Sequence, residues 1–157
     1  MDSETKLCAQ KDFLARFSFT SAQFAESKLD WKELCAIHEA HVASNGELQT
    51  AAVGILDRLR QVPQIHSVKL RIKNPERLVA KIIRKKLEKP EANITRENYS
   101  TEITDLIGIR ALHLFKDDWL PIDEFVQQNW PTRETPKAYV REGDSHLELG
   151  LPRKNGH

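Results

Sequence analysis

The segment Ser67-Val-Lys-Leu-Arg-Ile-Lys73 constrains this chain more than any other. Lys69, Arg71 and Lys73 alternate with Val68, Leu70 and Ile72, and a strand turns successive side chains to opposite faces. One face therefore carries a row of cations and the other is apolar enough to bury. Its counterpart downstream is Thr104-Asp-Leu-Ile-Gly-Ile-Arg110, an apolar run bracketed by Asp105 and Arg110. Gly108, just ahead of that arginine, is expected to let another backbone come close. A cationic row with a lone acid downstream points to a polyphosphate site with a metal ion.

Along the chain, Phe13, Leu14, Phe17 and Phe19 fit a short docked helix. From Thr20 or Ser21, both good N-caps, helical spacing runs through Phe24, Trp31, Leu34, Cys35, His38 and Val42, and Asn45-Gly46 is expected to stop it. Leu48, Ala52, Ile55, Leu59 and Val62 make a second helix closed by Pro63. The expected pattern is an antiparallel helical pair over residues 20–62. Residues 64–73 read as a strand. Asn74-Pro75 supplies an N-cap and a first-turn proline for a helix with Leu78, Val79, Ile82, Ile83 and Leu87 on its apolar stripe. Arg77, Lys81, Arg84 and Lys85 flank that stripe. A polar loop over 91–100 and a short turn over 101–106 follow. Residues 108–115 read as a buried strand, and Asp117-Asp118 with Pro121 open a helix whose Ile122, Phe125, Val126 and Trp130 face inward. Residues 133–141 and 146–151 could pair as a hairpin. The sum is an α/β (α+β) chain: a mixed β-sheet flanked by helices, behind an N-terminal helical region over 1–62.

The totals exclude several classes. Lys+Arg number 24 and Asp+Glu 23, for a net charge of +1; no basic excess calls for nucleic acid. Cys8 and Cys35 are two thiols without a disulfide framework or metal cluster. No apolar run approaches the roughly 20 residues of a membrane span, and the N-terminus lacks a signal peptide's pattern. A cytoplasmic protein without a membrane partner is expected.

The chemistry centres on cations. Lys81 and Arg84 lie one and two turns into the helix after the cationic strand, able to converge with Arg71 and Lys73 on a nucleoside triphosphate. Arginine offers planar bidentate donors and stacks on bases, while lysine is a mobile point charge. Mg²⁺ riding on a polyphosphate takes only one or two protein carboxylates, so Asp105 alone would suffice. Plainer readings stand beside these: a solvated edge-strand face for the cations, and for Asp105 a turn cap or a pair with Arg110. No Gly-x-x-x-x-Gly-Lys-Ser/Thr loop, Gly-x-Gly-x-x-Gly loop or nucleophile elbow is present. His38 and His41, three apart, read as ordinary helix residues.

Taken together, Val68-Lys-Leu-Arg-Ile-Lys-Asn-Pro-Glu-Arg-Leu78 with Lys81 and Arg84, then Ile103-Thr-Asp-Leu-Ile-Gly-Ile-Arg110 and Phe115-Lys-Asp-Asp118, resemble the RelA/SpoT family of (p)ppGpp synthetases. The resemblance spans residues 63–157 and looks like a small single-domain alarmone synthetase. It implies a nucleotidyltransferase-like synthetase fold and transfer of pyrophosphate from ATP to the ribose 3′-hydroxyl of GDP or GTP. By position, Arg71 and Arg110 would sandwich adenine, Lys73, Lys81 and Arg84 would hold the ATP phosphates, and Asp105 would be catalytic and bind Mg²⁺. Lys154 and His157 would meet the acceptor nucleotide, where the family's Lys-x-Asn-Gly-Tyr loop has tyrosine and this chain has His157. A later glutamate strand has no counterpart, so residues 63–157 look like a C-terminally truncated synthetase domain, a donor half expected to bind ATP·Mg²⁺ weakly and to be catalytically dead alone. Two alternatives remain: a relative that pyrophosphorylates tRNA 3′ ends, and a non-catalytic nucleotide-binding domain. A homo-oligomer is compatible with any of them.

Overall fold

The computed structural model describes residues 7–137. Its elements run α1 (Gln10–Arg16), α2 (Ser21–Ser27), α3 (Trp31–Ala43), α4 (Asn45–Leu59), β1 (Ser67–Ile72), α5 (Pro75–Glu88), α6 (Tyr99–Glu102), β2 (Ile107–Leu112), one 3₁₀ turn at Lys116–Asp118 and α7 (Trp119–Asn129). The fold is mixed α/β, as expected. Among the described residues the sheet is two-stranded and antiparallel: His66 N–H donates to Leu112 O at 2.8 Å and Lys73 N–H to Leu106 O at 2.8 Å.

The described residues form two compact units: residues 7–54 with 70–108, and residues 55–69 with 109–137. The first holds a continuous core. Phe13 and Leu14 of α1, Phe24 of α2, and Leu34 and Ile37 of α3 pack with Leu78, Val79, Ile82 and Ile83 of α5, and with Ile94, Tyr99, Ile103 and Leu106. α2 and α3 both lie on α5. The amphipathic pattern of α5 explains its central place, because Leu78, Val79, Ile82 and Ile83 of its apolar stripe are buried and Leu87 is half-buried against them. Its start is fixed by Asn74, whose side chain accepts the Arg77 N–H at 3.1 Å, and by Pro75 in the first turn.

The N-terminal helices differ from expectation in two places. The helix expected to run unbroken from residue 20 to 44 is interrupted at Lys28, which takes the left-handed conformation (φ 54°). Asp30 then caps α3, its carboxylate accepting the Lys32 N–H at 3.1 Å. Two cap signals inside one periodic stretch outweigh the period. Asn45-Gly46 does not stop α3; it opens α4, with Ser44 alone at the junction. One residue cannot turn a chain into an antiparallel hairpin of helices, which takes two to five, and α3 packs on α5 instead.

In the second unit, Leu59 and Val62 are buried. β2 was expected to be a buried strand over 108–115. It ends at Leu112 and none of its residues is fully buried, with Leu114 63% and Phe115 72% exposed beyond it. Within the described residues β2 pairs with β1 alone, so its edge and part of its surface meet solvent. Ile122, Phe125, Val126 and Trp130 are half-buried, and Phe125 meets Trp130 edge-on with ring centroids 6.0 Å apart. The expected hairpin over 133–151 falls largely on residues outside those described, and residues 133–137 form no strand. No helix among the described residues is long and apolar enough to cross a membrane.

Candidate functional site

The alternation of β1 is real: Ser67, Lys69 and Arg71 are exposed while Val68, Leu70 and Ile72 are half-buried. Where β1 ends, its cationic face leads into α5, and a cleft of about 970 Å³ opens there in the first unit. Arg71, Lys73, Arg77, Lys81, Arg84, Lys85 and Lys89 line it, with Phe17, Ile72, Asn74 and Glu88. Seven cations face one acid, so the cleft is built for an anion. The first turn of α5 lies in this wall, and the positive end of its dipole adds to the same field.

Asp105 ties two of these cations together. It sits in the turn between α6 and β2, where Lys73 Nζ meets Oδ2 at 2.7 Å and Lys81 Nζ meets Oδ1 at 2.8 Å. Burial pushes the carboxyl upward, but hydrogen bonds to both lysines and their charges outweigh it and hold Asp105 at about 2. The carboxylate is ionised at any ordinary pH, and both oxygens are engaged. Its partners are the lysines, neither a turn N–H nor Arg110. Lys73 is deeply placed, its side chain 11% exposed, whereas Lys81 is 38% exposed.

Four of the residues singled out from sequence thus share the cleft: Arg71, Lys73, Lys81 and Arg84. Asp105 joins them through its lysines. Arg84 is exposed, its Nε donating to Ala80 O at 3.2 Å. Arg110 lies exposed on β2 in the second unit and is not among the lining residues. Lys154 and His157 lie outside the described residues. Gly108 does not serve a tight backbone approach, since a Cβ there would meet Arg71 O at 3.7 Å and Arg71 Nε at 3.9 Å, ordinary contacts.

Sequence reasoning left several lining residues without a role. Arg77 and Lys85 share the cationic flank of α5 by spacing alone; Lys85 is held by Glu102, its Nζ donating to the carbonyl at 2.8 Å and to Oε2 at 3.1 Å. Phe17, at the end of α1, reaches the cleft from a segment with few signals. His41, read as an ordinary helix residue, is buried and reaches Lys73 O at 2.7 Å. No group of three or more His, Cys, Asp or Glu residues that could hold a metal is present among the described residues.

The strand–helix junction thus gathers cations around one ionised aspartate, a charge arrangement suited to an anionic ligand. A family model described as a region found in RelA / SpoT proteins matches residues 70–148. The chain belongs to the RelA/SpoT family. The match begins in β1 and takes in Arg71, Lys73, Lys81, Arg84, Asp105 and Arg110, while α1 to α4 lie outside it. No curated protein and no solved structure matches the chain.

Proposed function

We propose that this chain is a (p)ppGpp synthetase-type enzyme whose cationic cleft holds the donor ATP for pyrophosphate transfer to the ribose 3′-hydroxyl of GDP or GTP. The observation that carries the reading is the Lys73–Asp105–Lys81 cluster, whose two lysines line a cleft with five further cations, in a segment matched to the RelA/SpoT family. Lys73, Lys81 and Arg84 take the phosphates, and Arg71 offers a planar guanidinium to the adenine.

In the transfer, the 3′-oxygen forms a bond to the β-phosphorus of ATP as the bond to the bridging α–β oxygen breaks. AMP leaves with that electron pair, and the hydroxyl proton is released. The protein's part is positioning and neutralisation of charge. Asp105 is the carboxylate of this cluster that could serve Mg²⁺, and one carboxylate is compatible with an ion that keeps several waters and rides on substrate phosphates. Bound there, the metal would neutralise phosphate charge. For Asp105 to meet it, at least one lysine must leave its oxygen, and the incoming phosphates are the natural replacement partner for that ammonium.

Incubation with γ-labelled ATP and GDP, GTP or tRNA, resolved by chromatography, tests the reading. Label in a guanosine polyphosphate would establish the transfer and overturn the expectation that the chain is inactive alone; label on tRNA would assign the chain to tRNA 3′-end modification. Binding of ATP without transfer to any acceptor would leave a nucleotide-binding module. Thermal stabilisation by ATP with Mg²⁺ should vanish in Arg71→Ala and persist in Lys28→Ala, and equal shifts in both would place the nucleotide elsewhere.

A further inference from the structure

Lys73 lies one residue beyond the end of β1 and one before the cap of α5, so the sheet ladder leaves its carbonyl without a strand partner. Every buried main-chain group needs one. His41, on α3 and 1% exposed, fills the need with Nε2 at 2.7 Å from Lys73 O. A carbonyl only accepts, so Nε2 carries the proton and donates. On the other side of the residue, Lys73 N–H donates to Leu106 O at 2.8 Å. The residue before Leu106 is Asp105, which takes the Lys73 ammonium. The His41 ring also meets Tyr99 edge-on, centroids 6.0 Å apart and planes at 89°, and Tyr99 opens the helix that leads to Asp105.

A side chain chosen only to fill volume here would be apolar. The imidazole leaves Nδ1 buried with no partner, a cost that is offset by the one donor aimed at Lys73. We propose that His41 is a positioning residue that fixes the Lys73 backbone, and thereby aims its ammonium for a polyphosphate ligand. The inference rests on the donor-site reading above and assigns a part in it to a helix outside the matched region.

Calorimetric titration of the full chain with Mg·ATP and with tripolyphosphate, alongside thermal melts, tests it. His41→Phe keeps a ring and removes the donor; both ligands should weaken by about tenfold, since misplacing a binding group by a fraction of an ångström is costly. His41→Gln can return an N–H near the Nε2 position and should recover affinity to within about threefold. His41→Asn carries its amide at the wrong depth and should not, which keeps the comparison readable if the phenylalanine variant fails to fold. In a Lys73→Met background the same His41 substitutions should change affinity no further, because sites that act through one another are not additive.

Equal affinities for the glutamine and asparagine variants, or losses of the same size with and without the Lys73 ammonium, would overturn the proposal. A wild-type chain that binds tripolyphosphate but not ATP would sink the donor reading, with the part of His41 still decided by tripolyphosphate. A chain that binds neither ligand would overturn both.

Discussion

Asp105 is bound to two ammonium groups in the free protein, and that arrangement has a measurable cost for ligands. A polyphosphate competes with the carboxylate for Lys73 and Lys81, and a free cation approaching Asp105 meets two positive charges first. The metal ion and the nucleotide are therefore expected to bind well only together. Asp105→Asn should raise affinity for ATP in the presence of a chelator by at least about threefold, roughly 0.7 kcal/mol, and flatten its dependence on Mg²⁺; weaker metal-free binding would exclude the competition. Protonation cannot substitute for the mutation. The folded value of about 2 lies below the ordinary 3.8, so the stability Asp105 contributes is complete above pH 3.8 and is lost as pH falls through about 2. His38 behaves in the same sense, at a higher pH and for a different cause. Burial lowers its pKa from 6.5, against the partial opposition of Glu76 and Glu39, so the folded state binds fewer protons than the unfolded one. Stability should fall as pH drops below 6.5, and His38→Phe should flatten that slope in urea melts between pH 5 and 7.5. An unchanged slope would mean that His38 does not set it.

At the scale of elements, α5 organises both the core and the site, and its signals are local. Asn74, Pro75 and a clean apolar stripe lie within its own sequence, which is why its start is legible from sequence alone. Asn74→Ala removes the acceptor for the Arg77 N–H and should cost about 1 kcal/mol in chemical denaturation, with Arg77 and the cleft wall less well held. A loss below a few tenths would mean that Pro75 alone sets the start. The break between α2 and α3 was hidden because the left-handed residue is Lys28, whose side chain carries none of the signal that glycine would give. β2 misled for another reason: an apolar run marks a strand that can be buried on both faces, but burial depends on neighbours its own residues do not encode. In the site, the alternation of β1 and the flank of α5 were local patterns and therefore visible. The pairing of Asp105 with Lys73 and Lys81 spans 32 and 24 residues, and the bond from His41 spans 32. Spacing says nothing about such contacts.

For the molecule as a whole, the region that carries the family match and the unit that folds are different things. Residues 70–108 share one core with residues 7–37: Phe13, Leu34 and Ile37 are fully buried against α5 and the segments after it. Burying each of these side chains contributes about 1.5–3 kcal/mol, so the three together rival the 5–15 kcal/mol by which a typical domain is stable. Arg16 adds an ion pair to Glu76 at 2.6 Å, on the first turn of α5, although its half-exposed geometry makes this a minor term. α3 also delivers His41 to Lys73. A chain cut to residues 63–157 therefore keeps most of the residues of the cleft but loses the surface that packs α5. It should show no cooperative thermal transition and no protection of Lys73 or Lys81 from amine-reactive labelling by ATP with Mg²⁺, while residues 1–157 show both. A cooperative melt for the shortened chain at the temperature of the full one would mean that α1 to α3 are appended to a self-sufficient domain, and that the cleft owes its shape to residues 63–157 alone.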